Sequence, residues 1–247
     1  MMRRTGVFLL LTALAVLPAR QLRAQAQPLV RFMNEHTLAF VLFDLLETSP
    51  ALAGRPVQWD MDAWLGKMYN RLWIRSEGEL LTAQRGGEAE FQGLYSRVVA
   101  PYWDLQFGAR FDVAYGEQTR TRAHLALGLE GLAPYWFELE PTLFVSQDGD
   151  VSASLVASHD LFVTQRLILQ PRLEALAAVQ EVPAWGIGRG LNRVAFGLRL
   201  RFELVREFAP YIGFNWSRLY GGAADLARAE GEATRTSGFV AGVRLWY

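Results

Sequence analysis

The stretch Asp104-Leu105-Gln106-Phe107-Gly108-Ala109-Arg110-Phe111-Asp112-Val113 decides the fold. Leu105, Phe107, Ala109, Phe111 and Val113 alternate with Asp104, Gln106, Gly108, Arg110 and Asp112, the period-two pattern of a strand with one apolar and one polar face. The pattern recurs in Ala123, Leu125, Leu127 and Leu129, set between Arg122, His124, Ala126, Gly128 and Glu130. It recurs again in Val194, Phe196, Leu198, Leu200 and Phe202, set between Ala195, Gly197, Arg199, Arg201 and Glu203. Runs of about ten such residues are longer than the usual globular strand and match a tilted strand that crosses a membrane.

The turns separate a membrane barrel from a soluble sandwich. Ala100-Pro101-Tyr102-Trp103 returns as Ala133-Pro134-Tyr135-Trp136 and in part as Ala209-Pro210-Tyr211. The first two are two long strands and one hairpin apart, so these tight turns fall on one side of the sheet. Pro opens the next strand there without losing a ladder bond, and Tyr and Trp suit an interfacial girdle. The opposite connections, Gln84 to Glu88, Tyr115 to Gln118, Gln147 to Asp150, Val182 to Gly190 and Gly221 to Thr234, are richer in Gly and charge, and the last is the longest. Short turns on one side and longer loops on the other are the periplasmic and external ends of an outer-membrane barrel. Phe239, Ala241, Val243, Leu245 and Tyr247 bring the alternation to a terminal aromatic, as expected of the last strand of such a barrel.

Counting strands in pairs back from Tyr247 places same-side turns near 208, 164, 133, 100 and 68, with one further pair from about 36 to 67. The expectation is an all-β, antiparallel transmembrane barrel of twelve strands over residues 38–247, with both termini in the periplasm. The first strand, 36–48, puts Phe40 and Leu42 on the face that should be inward; if it is no strand, ten is the alternative count.

Met1 to Arg4 form a basic start, Val7 to Leu17 an apolar run too short to span a bilayer as a helix, and Ala24-Gln25-Ala26 a small-x-small cleavage site. Residues 1–26 therefore read as an export signal and 27–37 as a short periplasmic tail. Those first 26 residues hold Arg3, Arg4, Arg20 and Arg23 and no acid, which leaves 21 basic against 25 acidic groups in the remainder. That balance argues against a nucleic-acid partner. The absence of cysteine excludes thiolate metal sites, disulfides and cysteine nucleophiles, and Lys67 is the one lysine, which leaves Schiff-base chemistry little to work with.

With the apolar set facing lipid, the other set faces the lumen. It includes Asp60, Asp62, Arg71, Arg75, Glu77, Arg110, Asp112, Glu138, Glu140, Arg172, Glu174, Arg199 and Arg201. Side chains nearly fill a small barrel, so these charges must pair. A purely structural ion network and a narrow path for a small ion both require them. Hydrolysis has less support: Ser158, His159 and Asp160 are adjacent on a strand and point to alternate faces, no GxSxG elbow is present, and the phases put no nucleophile beside the inward His124. An outer-membrane barrel lipase is thus the second alternative, after a structural or general small-solute barrel.

A string of motifs carries a family resemblance over about residues 38–247. It comprises Trp59 to Trp64, Tyr69 to Glu79, Leu94 to Arg97, Ala100 to Gln106, Gly131 to Glu138, Leu161 to Glu174, Arg206 to Gly213 and Phe239 to Tyr247. In this order they resemble the copper resistance protein B family of bacterial outer membranes. The resemblance implies a non-enzymatic barrel of a copper-tolerance system, binding copper ions or passing them across the outer membrane, with a periplasmic copper-binding protein as a candidate partner. The Met- and His-rich stretch common before the family's barrel is reduced here to Met33 and His36, and Asn215 and Ser217 stand where the family has an acidic pair. The candidate copper ligands are Met33, His36 and Met68, converging at the periplasmic mouth, and His124 deeper inside; thioether and imidazole suit copper. Met61, sharing a face with Trp59 and Leu65, reads as lipid-side packing.

Overall fold

The structure, a computed structural model, describes residues 36–247 apart from 51, 53, 84, 85, 117 and 118. The expected export signal, most of the tail and Met33 lie outside the described residues. The strands are β1 (Leu38–Thr48), β2 (Pro56–Gly66), β3 (Asn70–Leu81), β4 (Gly86–Ala100), β5 (Trp103–Tyr115), β6 (Arg120–Ala133) and β7 (Phe137–Ser146). They continue with β8 (Val151–Ser158), β9 (Leu161–Phe162), β10 (Leu167–Ala178), β11 (Gly190–Phe202), β12 (Phe208–Leu219) and β13 (Arg235–Trp246). β8 and β9 are two pieces of one stave: Ser158 opposite Arg172 and Leu161 opposite Leu169 keep one register on β10, interrupted at His159 and Asp160. The sheet is a meander of antiparallel neighbours closed by β13 on β1, a barrel of twelve staves. At the seam Val41 and Tyr247 exchange both backbone hydrogen bonds, at 2.9 and 2.8 Å.

The inward Phe40 and Leu42 are explained by a bulge. Phe43 pairs with Met61 and Leu45 with Asp60, so Asp44 is an extra residue on β1. Phe40, Leu42 and Asp44 face inside before the bulge, and Leu45 and Glu47 face inside after it. Phe40 sits 6.1 and 6.0 Å from the rings of Trp64 and Trp246, inside the barrel. The lumen is also less uniformly polar than the alternation predicts: inward Trp73, Leu94, Ala126 and Phe144 form a buried apolar cluster on one wall.

Outward residues are the apolar set. Leu125 is 70% exposed, Leu72 61% and Phe239 76%, a surface that only a hydrocarbon solvent satisfies. In both complete Ala-Pro-Tyr-Trp turns the Tyr sits at positive φ, 67° at Tyr102 and 66° at Tyr135. A turn with Pro second and positive φ third normally takes Gly. Tyr accepts a cost of about 1 to 2 kcal/mol there, and its exposed ring is placed at the membrane boundary. At the opposite end the last connection, expected as a loop from Gly221 to Thr234, folds into a helix, α1 (Gly221–Ala229). Its Gly222 and buried Ala223 approach Gly188 so closely that a Cβ there would lie 2.1 Å from the Ala223 nitrogen. The two longest external loops are thereby packed together.

Candidate functional site

Two cavities occupy the lumen. The outer one, about 340 Å³, is lined among others by Glu79, Glu90, Arg110, Asp112, Glu174 and Arg199, with Trp185 and Ile187 of the β10–β11 loop at its mouth. The inner one, about 570 Å³, is lined among others by Asp62, Met68, Arg71, Arg75, Glu130 and Glu140. Asp60, Glu77 and Arg172 line both. Arg172 on β10 reaches Asp60 on β2 at 2.9 Å, Glu174 at 2.9 Å and Asp44 at 3.4 Å. This fan of ion pairs joins well-separated staves and forms a septum between the cavities.

Other arginines brace the wall in the same way. Arg75 on β3 pairs with Asp62 on β2 at 3.1 Å, Glu130 on β6 at 2.7 Å and Glu140 on β7 at 2.9 Å, its guanidinium 5.1 Å from the Trp73 ring. Arg199 holds Glu47 through two bonds, at 2.9 and 2.8 Å, while Tyr211 and Asn215 donate to the same carboxylate at 3.0 and 2.8 Å. Arg201 pairs with Asp160 at 2.7 Å, Arg244 with Asp44 at 2.7 Å, and Arg71 with Asp104 at 3.2 Å. Arg110 holds Glu90 and Asp112 at 2.7 and 2.6 Å. Glu138 accepts from Ser158 at 3.1 Å. Glu77 has no hydrogen bond or ion pair to a described residue and opens into both cavities.

Among described residues the outer cavity is lined by seven carboxylates and four guanidiniums, and the inner one by nine and four. The arginines are largely consumed by wall-to-wall pairs. Carboxylates outnumber guanidiniums on both linings, which leaves oxygen donors for a cation.

Asp44 and Glu47, central to this network, were absent from the inward set read off the sequence. Asp44 is in phase with the inward Phe40 and Leu42; for Glu47 the missing signal is the bulge, because a strict period of two carried past Asp44 puts it on the lipid face. Asn215 donates to Glu47 through its neutral amide.

The candidate copper ligands separate into two places. Leu38 pairs with Gly66 at the periplasmic end of β1 and β2. His36 and Met68 each lie two residues beyond that rung, one on each side, and Met68 lines the inner cavity with its carbonyl accepting from Arg71 at 3.4 Å. His124 is instead in the outer half, opposite Arg110 and Ser146, with Nδ1 3.6 Å from Asp112. β6 enters from the external end, so most of that strand separates His124 from the periplasmic mouth. Among the described residues no group of three His, Asp or Glu side chains is arranged to hold a metal ion.

The reading that no nucleophile lies beside His124 is corrected. The strand phases do place a nucleophile beside His124, because Ser146 on β7 is its cross-strand partner and Asp112 lies on its other side. The hydroxyl is committed elsewhere. Ser146 Oγ donates to Asp150 at 3.2 Å and accepts from Arg122 at 3.2 Å and from the backbone N–H groups of Asp148 and Asp150 at 3.2 and 3.1 Å. It closes the β7–β8 turn. His124 makes no hydrogen bond to it, and its buried Nδ1 has no hydrogen-bond partner among the described residues. His159 lies on the lipid side, its ring stacked on Phe137 at 4.8 Å and its Nδ1 3.1 Å from the Trp136 carbonyl oxygen.

Comparison with known proteins places this geometry. A family model described as Copper resistance protein B precursor (CopB) matches residues 37–247. A Copper resistance protein B of Escherichia coli is 41% identical over 207 residues, covering 84% of this chain and 69% of that protein. A Copper resistance protein B homolog of Pseudomonas syringae pv. tomato is 39% identical over 209 residues, covering 85% and 70%. Among solved structures, a NanC porin superimposes with a TM-score of 0.51 at 9% identity, over 84% of this chain and 99% of that one, a likeness of fold alone.

Proposed function

Because the chain belongs to the copper resistance protein B family, we propose that this outer-membrane barrel handles copper ions by admitting them to its lumen. The observation that carries the reading is the pair of carboxylate-rich cavities meeting at the Arg172 septum. In this reading attraction and selection are divided. The surplus carboxylates raise the local concentration of any small cation. They are hard ligands without preference for copper, so preference falls to the thioether of Met68 and the imidazole of His36 at the periplasmic mouth. An ion handed to or taken from a periplasmic copper-binding protein would pass between those two side chains. The fold and the family favour a non-enzymatic barrel.

The general-solute reading is favoured by the arginines that line the same walls, since mixed charge suits many polar solutes. One experiment separates the two. The purified barrel, in vesicles enclosing a copper-sensitive dye, is challenged with Cu(I), Cu(II), Zn(II) and potassium, alongside His36→Ala, Met68→Ala and His124→Ala variants, and cells with and without the protein are compared for copper tolerance. Copper entry or binding that weakens at least tenfold in the His36→Ala and Met68→Ala variants supports the proposal. Equal flux of all cations, insensitive to those substitutions and with unchanged tolerance, replaces it with the general barrel.

A further inference from the structure

Outward-facing strand residues are apolar at the external rim on most of the wall, as at Val113, Val145, Val151 and Ala177. β12 and β13 break the pattern. Arg218 and Arg235 are direct cross-strand partners on the outward face, one rung above Trp216 and Ser237 and two above Phe214 and Phe239. Both are exposed, and neither guanidinium is paired with a carboxylate among the described residues. Each is held over an aromatic ring, Arg218 5.2 Å from Tyr220 and Arg235 5.9 Å from Trp216.

Like charges directly opposite on neighbouring strands destabilise a sheet. Here two sit together beside hydrocarbon, fixed by ring stacking, with only water or an anion to compensate them. Below them the surface is an apolar ladder, Phe214 and Phe239 with ring centroids 5.5 Å apart and then Ile212 opposite Ala241. Ser237 stands opposite Trp216 between the arginines and this ladder. The chemistry that satisfies both halves is a phosphate, which two planar guanidinium forks can grip, attached to acyl chains lying along the ladder.

We infer that Arg218 and Arg235 form a binding site for the phosphate of a lipid in the outer leaflet, with Trp216, Phe214 and Phe239 seating its hydrocarbon. The site lies on the outside of the barrel and is independent of what the lumen carries.

The test uses the folded barrel in detergent micelles, titrated with diphosphoryl lipid A, with the same lipid stripped of both phosphates, and with inorganic phosphate, bound species being counted by native mass spectrometry. The variants are Arg218→Gln, Arg235→Gln, the double substitution, and Arg97→Gln, which removes an outward arginine at the periplasmic end. Folding is checked by heat-modifiable migration, and if the double variant fails to fold the single ones carry the comparison. The expected result is binding at least tenfold weaker in the double variant, intermediate in each single one and unchanged in Arg97→Gln. The dephosphorylated lipid is expected to bind wild type at least tenfold more weakly, and equimolar inorganic phosphate to displace nothing. Wild-type affinity in the variants, equal affinity for the dephosphorylated lipid, or displacement by equimolar phosphate would each overturn the site.

Discussion

Removing Arg199 tests the internal network at its most enclosed point. The Glu47 side chain is 0% exposed and that of Arg199 6%, and the pair shares two hydrogen bonds. In Arg199→Ala, Glu47 keeps its bonds from Tyr211 and Asn215 and loses its counter-charge. Two charge-assisted bonds contribute about 1.5 to 3 kcal/mol each. Arg199 borders the outer cavity, so water that enters the vacated space recovers part of that sum. The expected loss is about 3 to 5 kcal/mol, the range for stranding one partner of a buried pair. For a dependence of about 2 kcal/mol per molar urea, the unfolding midpoint falls by about 2 M, read by tryptophan fluorescence of the barrel in lipid vesicles. Arg199→Met combined with Glu47→Leu removes the stranded charge and should restore more than half of the loss. A midpoint within about 0.5 M of wild type, or a double variant no better than Arg199→Ala, would show that the charge pair does not hold the wall.

Three further outcomes are expected. Leu198→Arg, on the outward face of β11, should cost about 2 to 4 kcal/mol if it lies near the bilayer midplane, seen as a lower yield of heat-modifiable barrel. Arg172→Ala opens the septum and should raise single-channel conductance in planar bilayers severalfold over wild type, whereas unchanged conductance would place the constriction elsewhere. Gly131→Ala would put a Cβ 2.2 Å from the Tyr102 carbonyl oxygen and displace the first Ala-Pro-Tyr-Trp turn, at a cost of about 1 to 3 kcal/mol in urea unfolding.

Closure, antiparallel order and the number of staves were legible because each rests on local regularities: period-two alternation, turn residues on one side, and an aromatic last residue. The turns near 68 and 164 fall between observed strands, and those near 100, 133 and 208 at the last or first residue of one. What escaped depends on single insertions or on neighbours distant in sequence. One extra residue, Asp44, inverts the phase of β1 and hides Glu47 from a strict alternation. The neighbourhood of Ser146 and His124 follows from the β6–β7 register, which strand phases alone do not fix. The last loop gave no strand pattern, and three alanines at helical spacing, Ala223, Ala224 and Ala227, were the available hint of α1. The inward cluster around Trp73 and Phe144 has the composition of a lipid-facing set, so hydrophobicity could not reveal its side.

The seam between β13 and β1 makes the interior a product of completion. Asp44 meets Arg244 across 200 positions of chain, and Glu47 meets Arg199 across 152. Contacts so remote in sequence form late, because the loop entropy they close must be lost before they contribute. While the cylinder is open, β1 is a free edge whose Asp44 and Glu47 have yet to meet Arg172, Arg199 and Arg244. Inward charge is one of the devices by which exposed edges avoid pairing with other chains. The acids that later fix the lumen thus guard the nascent edge first, and a chain stopped short of Arg244 leaves Asp44 with Arg172 alone, at an edge its own last strand can no longer reach.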